Sequence, residues 1–462
     1  MTADVHTKPP RPQMVAVEGG HPLRGAVTVS GFKHSLVTVI AAAVATNVVL
    51  ELDNCPDITE TRVLSTLIQQ SGGSVARQAQ RLTVDPSQMY TGELDEETSG
   101  AIHGAPYLAP ALLHRFGKAR ICVDGGCRIG SAAGGRRPSE HYVDVLQQFG
   151  AAAEVTSDGI LLSSARGLTG CDIDLLDYTG DRFGRLGNLY SGATKIALLA
   201  ASVASGTTVL RHPYQKADVR DLIQALRNSG ATVDERPDGA IVVIAPSSLS
   251  HPARLQHTLL SDVIETVTWV AAGATAAKEP FTIRGTAMRR VQAELRAEFE
   301  VFERMGIQVE GSDNAIVVYP PQRLRPVAIT VNHHASIFSD SQPFLALLAS
   351  HAAGGSIIVE HVWPDRFAYV SELNRLGTSM KVAGSTLSVA GPQPPTAAGF
   401  QVHGADLRAA AVLVLAALTV QGRTLITGTE HLDRGYSSLI ASLDQAGAKI
   451  ATLGPNGSPH ES

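Results

Sequence analysis

DLRAAAVLVLAALTVQGRTLITG (406–428), followed by LIASLDQAGAKI (439–450), is the stretch from which the fold can be read. Its first half is a run of Ala, Val and Leu with no polar face, which predicts a helix buried on all sides. A small-residue turn and the β-branched strand RTLIT follow. The second half is apolar on one face only and ends at Gly447, before another strand. A glycine suits that place because it adopts the left-handed conformation that ends a helix at little cost. The same phrase recurs as STLIQQSGGSV (65–75), DVLQQFGAAAEV (144–155), DLIQALRNSGATVDE (221–235), EFEVFERMGIQVE (298–310) and SELNRLGTSMKV (371–382). The marking glycines are Gly72, Gly150, Gly230, Gly306, Gly377 and Gly447, with spacings of 78, 80, 76, 71 and 70 residues. All-apolar partners recur too, as in ATKIALLAASVASGTTVLRH (193–212) and SQPFLALLASHAAGGSIIVEH (341–361). Six α/β units of this size exceed the usual solenoid repeats. Regular spacing and wholly apolar second helices favour helices inside and sheets outside over one doubly wound sheet.

Composition bounds the function. The 462 residues are too many for one ordinary domain, and 44% hydrophobic against 18% charged residues supply ample core. A formal charge of −5 argues against nucleic acid as the main partner. Four cysteines (Cys55, Cys122, Cys127, Cys171) are too sparse for a disulfide scaffold, so a reducing, cytoplasmic setting is expected. The start, MTADVHTKPPRPQ, lacks the apolar segment of a signal peptide, and the longest apolar runs are too short to span a membrane. His333, His334 and His361 show no metal-ligand spacing with the cysteines, so no metal site is expected.

Four local motifs lie in order on the repeat: VSGFKHS (29–35), GGCRIG…RRP (125–138), SDSQPF (339–344) with DRF (365–367), and DLR (406–408) with HLDRGY (431–436). Together they resemble the enolpyruvyl transferases, in particular the UDP-N-acetylglucosamine 1-carboxyvinyltransferase branch, from about Val15 to Ile450. The resemblance implies an inside-out α/β barrel of two pseudo-threefold domains, with the active site in the cleft between them. Residues 1–32 with 258–462 would form the first domain, and 33–257 the second, carrying the Cys127 loop. GTAMR (285–289) is similar to a motif of the sister enzyme acting on shikimate 3-phosphate, but it stands in the wrong repeat and is taken as coincidence.

Enolpyruvyl transfer joins a hydroxyl to C2 of phosphoenolpyruvate, passes through a tetrahedral ketal and expels phosphate. It needs cations for two anionic groups and an acid/base, but no cofactor, phosphoenolpyruvate being a co-substrate. Lys33 stands where the strand GAVTVSG meets a buried helix, a place suited to anions. The resemblance assigns Arg137, Arg366 and Arg434 to anion binding, for which the planar guanidinium fork is suited. Asp340 corresponds to the family carboxylate near the reacting hydroxyl, a base or proton relay; read from sequence alone it is an N-cap. Asp406 and Arg408 are either catalytic support or a cap and ion pair. Cys127, flanked by Arg128, Arg136 and Arg137, is expected to be an activated thiol, by resemblance the acid that protonates the methylene carbon. His34, His103, Pro138, Ser139, Ser191, Gly192 and Val362 complete the substrate-binding set that the resemblance implies.

Departures cluster on the acceptor side. The family's lysine–asparagine pair reads Lys33–His34, an arginine reads His103, and two lysines near the acceptor's phosphates read Thr59 and Asn188. The loop carries extra residues, SAAGGR, before Arg137, leaving Arg136 as the alternative anion ligand. Phosphoenolpyruvate's apparatus is kept while acceptor-side charge is lost. This points to another nucleotide acceptor, as in the relatives that modify the 3′-hydroxyl of UMP in peptidyl nucleoside antibiotic (nikkomycin or polyoxin) pathways. UDP-N-acetylglucosamine is the alternative acceptor. A catalytically silent nucleotide-binding relative and an RNA 3′-phosphate cyclase-like protein are the readings of other classes.

Overall fold

The computed structural model describes residues 14–122, 139–156, 159–179, 189–246, 254–333, 336–363 and 365–454. Cys127, Arg128, Arg136, Arg137, Pro138 and Asn188 therefore lie outside the described residues. The described chain forms two compact units, one built from residues up to Ser30 and from Ser261 onward, the other from Gly31 to Leu260.

The clearest repeat runs from strand Ala328–Val331 through the buried helix Gln342–His351 to the parallel strand Ser356–Glu360. The outer helix Tyr369–Arg375 then leads to the hairpin Ser379–Ala383 and Thr386–Ala390, which completes a four-stranded sheet in the order first, second, fourth, third. Among the described residues there are six sheets, five of four strands and one of three. All six marking glycines have φ between 88° and 104°, the left-handed conformation that lets each outer helix turn into its strand.

The last repeat is closed by the start of the chain. Met14–Gly19 inserts antiparallel between Gly422–Thr427 and Lys449–Leu453. A second exchange joins segments that are distant in sequence within each unit. Ala26–Thr28 pairs not with the strand after its own following helix but with Phe281–Arg284, far along the chain. Arg254–Thr258 takes the corresponding place beside Val49–Asp53.

Inner and outer helices differ as their patterns require. Every residue of Tyr190–Ala201 is buried, as are Ser35 to Thr46 of Lys33–Thr46 and Leu407 to Leu418 of Leu407–Thr419. Outer helices such as Ala217–Asn228 bury one face and expose Arg220, Gln224 and Arg227. No described helix is long and apolar enough to cross a membrane. In GTAMR, Met288 is buried in the core and Arg289 forms a surface ion pair with Asp313 at 2.6 Å, both well exposed.

Where the chain leaves the first unit, Ser30 is held by Glu265, which accepts from its amide at 3.1 Å and its hydroxyl at 2.7 Å. Burial pushes this carboxyl up from 4.5 to about 7. A raised acid binds its proton more tightly in the folded than in the unfolded chain. Its contribution is therefore full below the unfolded value and is lost as pH rises towards 7. In urea titrations, Glu265→Gln is expected to remove that slope between pH 4.5 and 7; an unchanged slope would mean that other groups set it.

Candidate active site

In the first unit, charge gathers at the N-terminal ends of the buried helices. Asp340 lies in the 3-10 turn Ser339–Ser341 that enters helix Gln342–His351. Its Oδ2 accepts from Arg408 Nε at 3.1 Å and Nη2 at 3.0 Å, and its Oδ1 lies 2.5 Å from Arg366 Nη1. Both arginine side chains are nearly sealed, at 6% exposure for Arg366 and 2% for Arg408, while Asp340 keeps 21%. Burial works against these guanidinium charges, but the carboxylates around them win. Asp340, Asp406 and Glu360 hold Arg366 above its ordinary value, and Tyr436, Asp340 and Asp262 do the same for Arg408. The result is a fixed double cation with one partly open carboxylate.

Supporting contacts fix the geometry. Asp406 caps helix Leu407–Thr419 by accepting from the amides of Arg408 and Ala409, which orients Arg408 from below. Arg408 Nη1 donates to Tyr436 Oη at 3.0 Å, tying the HLDRGY turn to the group. Arg434 ends the 3-10 turn Thr429–Arg434, two residues before that tyrosine. Glu360 accepts from the Val362 and Trp363 amides and from Ser339 Oγ, so Val362 is set by the same network. Burial pushes the Glu360 carboxyl up. Asp340, Arg366 and Arg408 are thus brought into direct contact, and Val362 joins them through Glu360 and Ser339.

The second unit repeats the scheme. Lys33 is the first residue of helix Lys33–Thr46, and its ammonium lies 2.8 Å from Glu60 Oε1, whose side chain is 1% exposed. Glu60 follows Thr59 at the start of helix Thr59–Gln70. Ser139 precedes helix Glu140–Gln148, and Ser191 and Gly192 lie in the first turn of Tyr190–Ala201. A Cβ at Gly192 would sit 2.4 Å from His141 Nε2, so only glycine lets that imidazole lie against the helix. Burial, aided by the charge of Lys195, pushes His141 down to about 3 and keeps it neutral. His103 Nε2 lies 3.4 Å from Tyr142 Oη.

Sequence reasoning missed the partners that organise these ends: Glu60, Glu360, Tyr436 as a ligand of Arg408, and the buried pair Lys195–Asp218 at 2.7 Å. Lys195 alone carried a signal, as the single charge in the apolar run ATKIALLAAS. Among the described residues no cluster of His, Cys, Asp and Glu could hold a metal ion.

Residues 17–443 match the family described as EPSP synthase (3-phosphoshikimate 1-carboxyvinyltransferase). A UDP-N-acetylglucosamine 1-carboxyvinyltransferase 2 of Mesorhizobium japonicum is 32% identical over 440 residues, 95% of this chain and 98% of that protein. The crystal structure of the enolpyruvyl transferase NikO from Streptomyces tendae is 41% identical, with a TM-score of 0.89 over 96% of this chain and 99% of that one. An EPSP synthase structure from Acinetobacter baumannii shares the fold at TM-score 0.70 with 15% identity over 95% of this chain and 99% of that one. The chain therefore belongs to the EPSP synthase family of enolpyruvyl (carboxyvinyl) transferases, a family of enzymes.

Proposed function

We propose that the protein transfers the enolpyruvyl group of phosphoenolpyruvate to the 3′-hydroxyl of UMP and releases phosphate. The observation that carries the chemistry is Asp340 clasped by two buried arginines. Asp340 keeps 21% exposure and can take a proton from a hydroxyl, and the positive charge held beside it favours the anionic groups of phosphoenolpyruvate. In this reading Asp340 accepts the hydroxyl proton as the oxygen attacks C2, and the methylene carbon gains a proton to give the ketal. Loss of phosphate with the bridging oxygen, and of one methyl proton, then restores the double bond. Lys33, Arg366 and Arg434 bind the anions, with Arg137 or Arg136, and Arg408 holds Asp340 in place. Cys127 supplies the carbon-bound proton.

The uridine acceptor is supported by Thr59 and His103, which stand where the family resemblance expects a lysine and an arginine on the acceptor side. UDP-N-acetylglucosamine is the second reading, favoured by the names of the relatives about 32% identical. Phosphate release from phosphoenolpyruvate with each acceptor in turn decides between them, and no release with any hydroxyl compound would leave the silent nucleotide-binding reading.

Fosfomycin, an epoxide that resembles phosphoenolpyruvate, should alkylate Cys127 ahead of the other thiols. Burial pushes Cys55 and Cys171 up to about 11 and also raises Cys122, so their thiolate fractions at neutral pH are small. Peptide mass mapping after brief exposure should find the adduct at Cys127; equal labelling of all four would mean that its thiol is not activated.

A further inference from the structure

We infer that Lys195 is the acceptor-side cation, its ammonium receiving the phosphate of the nucleotide and Asp218 holding it in position. The inference rests on the nucleotide-acceptor reading above. Lys195 is the only charged residue in helix Tyr190–Ala201, which is buried throughout. Its ammonium lies 2.7 Å from Asp218 Oδ2 and 5.3 Å from the ring centre of Tyr107. The two side chains are 8% and 3% exposed. Packing alone gives little reason for such a pair, since well-fitted apolar residues often serve stability as well or better.

Its surroundings supply a reason. The Tyr107 ring stacks edge-on to Tyr142, 5.6 Å between centres, and Tyr142 Oη reaches His103. His141 lies between Tyr142 and Gly192. Helix Lys33–Thr46, which carries His34 in its first turn, packs on helix Ala217–Asn228, which carries Asp218; burial pushes the Asp218 carboxyl up, but the charges of Lys195 and His34 outweigh it. His34 and His103, two of the acceptor-side departures from the family, and the substrate-binding candidates Ser191 and Gly192 thus border a fixed positive charge that no motif announced. Ser191 stands one helical turn before Lys195, on the same side of the helix. One ammonium matches one phosphate.

The test compares UMP with uridine, which lacks the phosphate, as acceptors under saturating phosphoenolpyruvate. Lys195→Met is expected to raise KM for UMP by roughly 10- to 100-fold, the loss of one charge-assisted bond, with kcat/KM for uridine and KM for phosphoenolpyruvate held. Asp218→Asn, which releases the ammonium, should lower KM for UMP severalfold. A structural ion pair predicts instead that both substitutions harm all substrates alike. Equal loss with UMP and uridine, a rise confined to KM for phosphoenolpyruvate, or weakened UMP in Asp218→Asn would each overturn the inference. Should Lys195→Met fail to fold, the double variant Lys195→Met/Asp218→Asn buries no charge and carries the same expectation for UMP. If the unaltered protein turns over UDP-N-acetylglucosamine but not UMP, the UMP reading falls on its own. Lys195→Met is then read with that acceptor, and an unchanged KM overturns the inference.

Discussion

Asp340→Asn is expected to lower kcat by about 10²–10⁴-fold, the usual contribution of a positioned base, while KM for either substrate moves far less. Asn keeps one oxygen facing the forks of Arg366 and Arg408 but takes no proton from the acceptor hydroxyl. Removing the charge also leaves two buried guanidinium groups short of a partner, a loss of about 3–5 kcal/mol when such a pair is broken. Rates should therefore be read below the variant's melting transition, followed by circular dichroism. A folded Asp340→Asn protein with near-normal kcat would remove Asp340 from the proton transfer and leave it a structural anion between two arginines.

UMP should exceed UDP-N-acetylglucosamine in kcat/KM by roughly 10²–10⁴-fold, the effect of two missing charge-assisted contacts. Thr59 opens helix Thr59–Gln70 with no charge to offer, and the adjacent Glu60 engages Lys33. His103 is turned to Tyr142. A diphosphate would meet the single ammonium of Lys195, whereas a monophosphate is matched by it. Steady-state phosphate release with both acceptors measures the ratio. A clear preference for the UDP-sugar would mean that charge is restored elsewhere, and the protein would then be an ordinary carboxyvinyltransferase of peptidoglycan synthesis.

Much of the fold was legible because its signals are local. Gly72 and Gly447 mark helix ends through their own backbone conformation, and the apolar run 409–420 can only be a core helix. The exchanged strands were not legible in that way. Ala26–Thr28 is three residues long, too short for any alternation, and its partner Phe281–Arg284 is set by the fold rather than by sequence neighbours. At the site, Asp340 and the arginines stood out within motifs, yet their mutual contacts span 68 residues in the case of Arg408. Asp406 proved to be a helix cap, and Arg408 an ion-pair partner of Asp340, a division that the motif DLR alone left open. Lys195 was visible as an odd charge in an apolar helix, but its meaning depends on Asp218 in another helix.

Addition to C2 of phosphoenolpyruvate followed by elimination of phosphate fixes the fate of the bridging oxygen. The protein would be turned over with UMP and phosphoenolpyruvate carrying ¹⁸O between C2 and phosphorus, and the inorganic phosphate analysed by mass spectrometry. Addition–elimination breaks the carbon–oxygen bond of phosphoenolpyruvate, so the label should leave entirely with phosphate while UMP gains the enolpyruvyl group. Unlabelled phosphate, with the label retained in pyruvate, would show cleavage at phosphorus and contradict the account.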